Sequence, residues 1–303
     1  VKPDAAALEV ILVSCEAGEI SPVVALMQLL IETEDAEVVA CFIRDEAPRF
    51  LVGPELARLL DTKRAGIARV AAMLHGDMDR PPVDATVDEG IAFCRRLFDW
   101  SVEQSEEASV ALYSLGDPEI LQAATDEIVS WLTTEGLVGD ARDALDLGCG
   151  IGRLSSALAP RLRSVTGVDV SPRMIERAEN RCREFPNVRL MLGSGRDLRG
   201  FRAGSFDLVL AVDVFPYLVQ SALTLAEVHI AEAARVLRPR GDLVILNFSY
   251  RDDRARDPRD VAEFASSHGF DVEACGIRPF KTWDGAAFHL RVAEARRSER
   301  ATP

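Results

Sequence analysis

The chain has 303 residues, and 49 acidic against 35 basic side chains leave a formal charge of -14, which repels a phosphate backbone and, with no basic patch set apart, excludes nucleic acid as an expected partner. Apolar residues make up 48% and charged residues 28%, a balance that folds and that rules out a disordered chain. No apolar run approaches the ~20 residues a membrane-spanning helix needs, and the first residues lack the basic start and apolar stretch of a signal peptide, so a cytoplasmic protein with no membrane partner is expected.

From Ala5 to about Asp99 the apolar residues recur at three- and four-residue spacing, which predicts helices. Ser21-Pro22 reads as a helix start ahead of Val23, Leu26, Leu29 and Leu30, and Gly53-Pro54 as another ahead of Leu56, Leu59 and Leu60. Arg80-Pro81-Pro82 interrupts the pattern as a candidate hinge. A helix is expected from Asp88 to Tyr113 and a second from Pro118 to Thr133, with Asp117 as the cap between them. This organisation predicts a helical region over 1–100 with a core of its own, connecting helices over 101–140, an α/β domain over 141–295 and a solvated tail over 296–303. The helical region is expected to serve as a lid or substrate wall, or as an oligomerisation surface that makes a homodimer.

After Asp143 short apolar runs alternate with helical stretches, the texture of a parallel sheet covered by helices. Strands are expected over 144–147, 165–170, 188–192, 207–212 and 242–247, with helices starting near Gly152, Pro172, Leu218 and Pro258. The last two strands, 270–276 and 286–292, are joined by a link too short for a crossover helix and should run antiparallel. The fold class is therefore α/β, a doubly wound, mostly parallel sheet of seven strands with a reversed last strand, preceded by an all-helical region.

The strongest chemical signal is the stretch 144–154, ALDLGCGIGRL, an apolar strand followed by Gly148, Gly150 and Gly152 at alternate positions. Glycines there let a ligand lie against the main chain, including that of Cys149, at the carboxyl end of the first strand. A dinucleotide site would space its glycines G-x-G-x-x-G, with the third where Arg153 stands. S-adenosylmethionine has no phosphate and brings an ammonium, a carboxylate and a sulfonium, so the acid Asp146 beside the loop suits it as a partner for positive charge. Asp169 lies 21 residues after Gly148, about the offset at which an acid accepts hydrogen bonds from a ribose; Val170 is placed to pack on the adenine, and Ser171 to cap the helix at Pro172.

With ALDLGCGIGRL, the stretches VTGVDVSPRMIERA, SFDLVLAVDVFPYL and AARVLRPRGDLVIL resemble the successive motifs of the class I methyltransferase family, over roughly 140–292. The resemblance implies a seven-stranded sheet with a reversed last strand and S-adenosylmethionine as methyl donor, leaving S-adenosylhomocysteine. It also implies adenine contacts from Gly193-Ser194-Gly195-Arg196-Asp197, where Ser194 replaces the family's usual acid and Asp197 offers another. Donor and acceptor should meet at Ala211-Val212-Asp213-Val214-Phe215-Pro216-Tyr217, with Ala211 on the cofactor side and Asp213 and Tyr217 as acid or base candidates.

The chain lacks the N-P-P-Y type of motif used on amide or base nitrogens, and one acid near Asn247-Phe248-Ser249 is too few for a hard cation, so no metal is expected. Phe215, Tyr250, Trp283 and His289 are the candidate substrate residues, and Tyr113, upstream of the sheet, is expected over the cofactor's methionine end. His75, His229 and His268 read as helix histidines, and the cysteines Cys15, Cys41, Cys94, Cys149, Cys182 and Cys275 as scattered buried thiols. The expected activity is methyl transfer to a small molecule; a protein methyltransferase and a non-catalytic S-adenosylmethionine-binding regulator are the alternatives.

Overall fold

The computed structural model describes residues 5–76, 85–251, 253 and 255–294, so the Arg80-Pro81-Pro82 break and the 296–303 tail lie outside the described residues. The first half is helical: α1 (Ala5–Glu16), α2 (Pro22–Thr33), α3 (Ala36–Glu46), α4 (Gly53–Thr62) and α5 (Arg64–Leu74). Ser21 starts α2 as its sequence predicts, its side chain accepting from Val24 N at 3.2 Å. These helices have no separate core. One continuous apolar cluster runs from Leu8, Leu12 and Leu26 through Ile128 and Leu154 to Val165 and Val244, so the helices and one face of the sheet share a single interior. Cutting Leu12 back to Ala would cost about 2–5 kcal/mol.

The helix predicted from Asp88 to Tyr113 is two, α6 (Val87–Gln104) and α7 (Glu106–Val110). Ser105 separates them: its backbone is extended at φ -159°, and its side chain accepts from Ala108 N to start the second helix. A 3-10 turn, Leu112–Ser114, then carries Tyr113, and α8 (Pro118–Thr134) begins at its Asp117 cap. Lys63, just before α5, pairs with that same Asp117 at 2.6 Å. Gly66 of α5 lies so close to this turn that a Cβ on it would stand 2.0 Å from Leu115 O. The N-terminal helices thus buttress the segment that holds Tyr113.

The second half is β1 (Gly139–Leu147), α9 (Arg153–Leu158), β2 (Leu162–Asp169), α10 (Pro172–Cys182), β3 (Val188–Leu192), β4 (Phe206–Val212), α11 (Phe215–Ser221), α12 (Leu223–Val236), β5 (Leu237–Leu246), α13 (Arg256–Ser267), β6 (Phe270–Ile277) and β7 (Ala287–Val292). The strand order is β3-β2-β1-β4-β5-β7-β6, parallel except for β7, which runs antiparallel to both of its neighbours. The order reverses beside β1, which opens a crevice at the carboxyl ends of β1, β2 and β4. The helices α12 and α13 cover the second face through a cluster that includes Ile230, Val261 and Phe264. No described helix is long and apolar enough to cross a membrane. The expectation of buried thiols fails at Cys41, which is exposed on α3.

Candidate functional site

The loop after β1 turns through three left-handed glycines, Gly148, Gly150 and Gly152, at φ +66°, +52° and +73°. Gly148 N and Cys149 N both donate to Val168 O, at 2.7 and 3.0 Å, which ties the loop to the end of β2. A Cβ on Gly150 would stand 2.7 Å from Val110 Cγ1 of α7, so only a bare backbone fits there. The Cys149 side chain points inward, toward Gly167, and leaves only its main chain to the loop surface.

Two carboxylates stand beside the loop. Asp169 accepts from Gly150 N through Oδ2 and from Ser171 N through Oδ1, both at 2.9 Å, and each oxygen keeps a lone pair for a further donor. Burial raises its pKa, against those backbone bonds. Asp146 is 3% exposed and accepts from Ser155 Oγ at 2.6 Å. Burial pushes it up to about 6; the Ser155 bond and the nearby Arg153 oppose this, and Asp169 adds to it. A buried and a half-buried acid, neither of them in an ion pair among the described residues, suit a cationic ligand.

Val170, Gly195 and Ile91 of α6 converge beyond Asp169: a Cβ on Gly195 would lie 2.8 Å from Val170 Cγ1 and 3.0 Å from Ile91 Cγ2. Asp99, also on α6, accepts from Ser171 Oγ at 2.6 Å, and Asp88 pairs with Arg196. Helix α6 is therefore locked across the end of β2. Asp197 is turned into its own loop, accepting from Arg199 N at 3.1 Å.

Where β4 and β5 end, Asp213 and Asn247 both take left-handed backbones, at φ +55° and +64°. For residues with a Cβ this is strain of the kind held at functional sites. Asn247 Nδ2 donates to Asp213 Oδ1 at 2.8 Å and Tyr250 Oη to the same oxygen at 3.1 Å. Burial pushes the Asp213 carboxyl up to about 6, against the Asn247 bond and the charge of Arg153. Tyr217 stands edge-on to Phe98 and to Tyr250, with ring centroids at 4.9 and 6.0 Å, and burial raises its hydroxyl well above the usual value. Tyr250 is 63% exposed and so offers an open aromatic face to the crevice. Trp283 is buried, stacked between Tyr113 at 5.7 Å and Phe280 at 5.2 Å.

Several expectations change. Phe215 is fully buried and stacked on Phe248 at 5.7 Å, so it packs the core instead of lining the crevice. Trp283 acts as a buried wall behind Tyr113. His289 lies opposite Val244 and sets its Nε2 2.9 Å from Asp242 Oδ1, in a charge cluster at the other end of the sheet. The reversed direction of β7 explains this: Ala287 pairs with Leu246 near the mouth, and each further residue moves away from it. Ala211 is wholly buried and pairs with Leu147, which leaves its main chain as its means of meeting a ligand. Sequence reasoning missed Arg153, Ile91, Phe98 and the Asn247–Asp213 bond; only Arg153 carried a local signal, standing directly after the third glycine. Among the described residues no group of three metal-ligating side chains occurs.

Residues 145–245 match the family model described as a methyltransferase domain. The chain is 38% identical over 108 residues to a demethylmenaquinone methyltransferase of Tropheryma whipplei, a match covering 36% of this chain and 42% of the relative. It is 32% identical over 146 residues to a 2-methyl-6-phytyl-1,4-hydroquinone methyltransferase of Synechocystis, covering 46% of this chain and 44% of that one. The chain thus spans less than half the length of these curated relatives. It is similar in fold to the phosphoethanolamine N-methyltransferase 1 of Haemonchus contortus, solved with phosphoethanolamine and S-adenosylhomocysteine, at TM-score 0.56 and 18% identity over 72% of this chain and 52% of that one. A second solved relative in fold is the magnesium protoporphyrin IX methyltransferase of Synechocystis with bound S-adenosylmethionine, at TM-score 0.50 and 21% identity over 67% and 97% of the two chains.

Proposed function

We propose that this chain, whose residues 145–245 belong to the methyltransferase-domain family on the class I fold, transfers a methyl group from S-adenosylmethionine to a small aromatic acceptor bearing an acidic hydroxyl. The residues present fit the donor. The bare loop of Gly148, Gly150 and Gly152 admits a ligand against the main chain, the open lone pairs of Asp169 suit a ribose diol, and Val170 with Gly195 and Ile91 suits the flat adenine. When bound, S-adenosylmethionine supplies a methyl on a sulfonium, open to in-line displacement by a nucleophile about 3 Å behind it.

The observation that carries the acceptor reading is the state of Asp213. Its Oδ1 is held by two neutral donors, which orient the group and leave Oδ2 to take a proton. A carboxyl brought up to about 6 is ionised at neutral pH yet basic enough to deprotonate a phenolic hydroxyl as charge moves onto the acceptor. The rings of Phe98, Tyr217 and Tyr250 give that acceptor a flat apolar surround. A relative whose name specifies a hydroquinone substrate supports the same chemical class, and one whose name specifies demethylmenaquinone supports a ring of the related quinone type. Helix α6 crosses the end of β2 and Val110 of α7 covers Gly150, which favours a small enclosed acceptor over a protein surface.

The test is incubation with donor labelled in its methyl group and a panel of phenols and hydroquinones, alongside calorimetry with S-adenosylhomocysteine. Label in a panel member is the expected result. Label only in protein, or no uptake of S-adenosylhomocysteine by folded chain, overturns the reading.

A further inference from the structure

The segment between β6 and β7, residues 278–286, is held from outside the sheet. Glu127, half-buried on α8, accepts from Lys281 N at 3.1 Å, from Thr282 N at 3.1 and 3.0 Å through its two oxygens, and from Thr282 Oγ1 at 3.0 Å. Its charge is thus met by backbone amides and a hydroxyl, which makes these bonds stronger than neutral ones. Ser21, at the start of α2, donates to the carbonyl of the same residue, Thr282 O, at 2.8 Å. One turn along α8 from Glu127, Trp131 stands edge-on to Phe280 with ring centroids at 5.8 Å. Helix α8 therefore grips the segment at a polar point and an apolar one.

What the grip sets lies at the other end of the segment. Arg278 Nη1 donates to Asp284 O at 2.6 Å, and a Cβ on Gly285 would stand 2.5 Å from the Trp283 ring, so the chain from Thr282 to Ala286 is folded tightly on itself. Ala286 N donates to Asn247 Oδ1 at 2.9 Å, and Asn247 N returns a bond to Ala286 O at 2.8 Å. With Oδ1 taken by Ala286, the Asn247 amide must present Nδ2 to Asp213 Oδ1, which it meets at 2.8 Å. The contacts run without a break from α8 to the carboxylate. We propose that Glu127 is a positioning residue for Asp213: by holding Lys281 and Thr282 it places Ala286, which turns the Asn247 amide onto Asp213 Oδ1 and leaves Oδ2 to the acceptor. This inference rests on the reading of Asp213 as the base.

Two readouts on the full chain test it, one of them independent of turnover. In Glu127→Ala, native-state hydrogen exchange at the Asn247 and Ala286 amides is expected to quicken by about 10-fold, while the Leu145 and Val209 amides inside the sheet keep their protection. With a phenol or hydroquinone that takes label from the donor, kcat is expected to fall about 10-fold in Glu127→Ala and about 3-fold in Glu127→Gln, which keeps one accepting oxygen; the acceptor KM and S-adenosylhomocysteine affinity should stay within about two-fold. Asn247→Gly keeps the left-handed backbone but has no amide to turn, so in that background Glu127→Ala should cost less than about two-fold more. A second full loss in that background overturns the route through Asn247. Unchanged exchange overturns the grip, and faster exchange with kcat kept makes Glu127 merely structural. Weakened S-adenosylhomocysteine binding with kcat kept places the effect at Tyr113, through Trp283, and also overturns the proposal. Full activity of Asp213→Asn is a separate failure: it ends the base reading itself, and the positioning role with it.

Discussion

At the amino-terminal end of the parallel strands Asp143, Asp207 and Asp242 each meet an arginine, whereas at the carboxyl end Asp146, Asp169 and Asp213 meet none among the described residues. Asp143 takes bonds from Arg163, Ser164 and Arg238, and the Arg163 guanidinium holds its carboxyl well below the usual range. Asp242 is buried, which alone would raise its pKa, but His289 and Arg142 outweigh that and keep it low. Among the described residues the acids at the other end accept only from Ser155, from backbone amides, and from Asn247 and Tyr250, and burial lifts all three. One end has its charges matched inside the protein, which serves stability. The other sets only Arg153 near its acids, outside any ion pair among the described residues, which leaves charge for a ligand to match and a carboxylate able to take a proton.

The largest effect expected from breaking this contrast is at Asp213. Asp213→Asn still accepts from Asn247 and Tyr250 but holds no base, so kcat should fall by about 10³-fold, roughly 4 kcal/mol, with S-adenosylhomocysteine affinity kept. A loss of less than about three-fold removes Asp213 from proton transfer. The pH profile sharpens the same point. Because the working form is the carboxylate, log kcat should fall with unit slope as pH drops through about 6 and level off above it, and this limb should vanish in the variant. Activity rising on acidification contradicts the assignment.

The next effect lies at the opposite end. Arg142 donates to Gly136 O at 3.0 Å, to Asp207 O at 2.8 Å, and to the Asp242 carboxylate. Arg142→Met leaves these acceptors short, and urea denaturation should show a loss of about 3 kcal/mol with donor affinity unchanged. A drop in S-adenosylhomocysteine affinity larger than the drop in stability means that the two ends are coupled.

The sequence made one end of the sheet readable and hid how the other is assembled, for reasons that follow from chain distance. Gly148, Gly150 and Gly152 with Asp146 and Asp169 form a local pattern, because a loop and the next strand are enough to place them. The Asn247–Asp213 bond spans 34 residues, and the Tyr113–Trp283 stack forms only when the Tyr113 turn packs against the link before β7. No periodicity encodes that. Strand starts were obscured by charge: β5 begins at Leu237, ahead of the run Asp242 to Asn247 that its apolar residues suggest. The segment Arg238-Pro239-Arg240-Gly241 looks like a turn, yet it continues the strand through an irregular register, with Arg240 at φ +63° and Arg238 bonded to Asp143 and Asp207. Ion pairing between strands makes charged residues acceptable there, and pairing is invisible in one strand alone.

The smallest effect expected is a gain, from Asp146→Asn. The folded pKa of Asp146 stands at about 6, above the ordinary 3.8, so between those values the native chain binds more protons than the unfolded one and its stability falls as pH rises. Above about pH 6 the ionised carboxylate costs the native state roughly 3 kcal/mol. Asparagine can still accept from Ser155 Oγ but no longer balances the nearby charge of Arg153, so a net gain of about 1 kcal/mol is expected. In ligand-free urea denaturation the variant should be about 1 kcal/mol less stable than the unaltered chain at about pH 4.5, where the native Asp146 is mostly protonated, and about 1 kcal/mol more stable at about pH 7.5. Its S-adenosylmethionine affinity should fall, since a charge that faces a cationic ligand has been removed. A variant less stable than the unaltered chain at the higher pH makes Asp146 a stabilising carboxylate of the Asp143 kind, and the two ends of the sheet are then built alike.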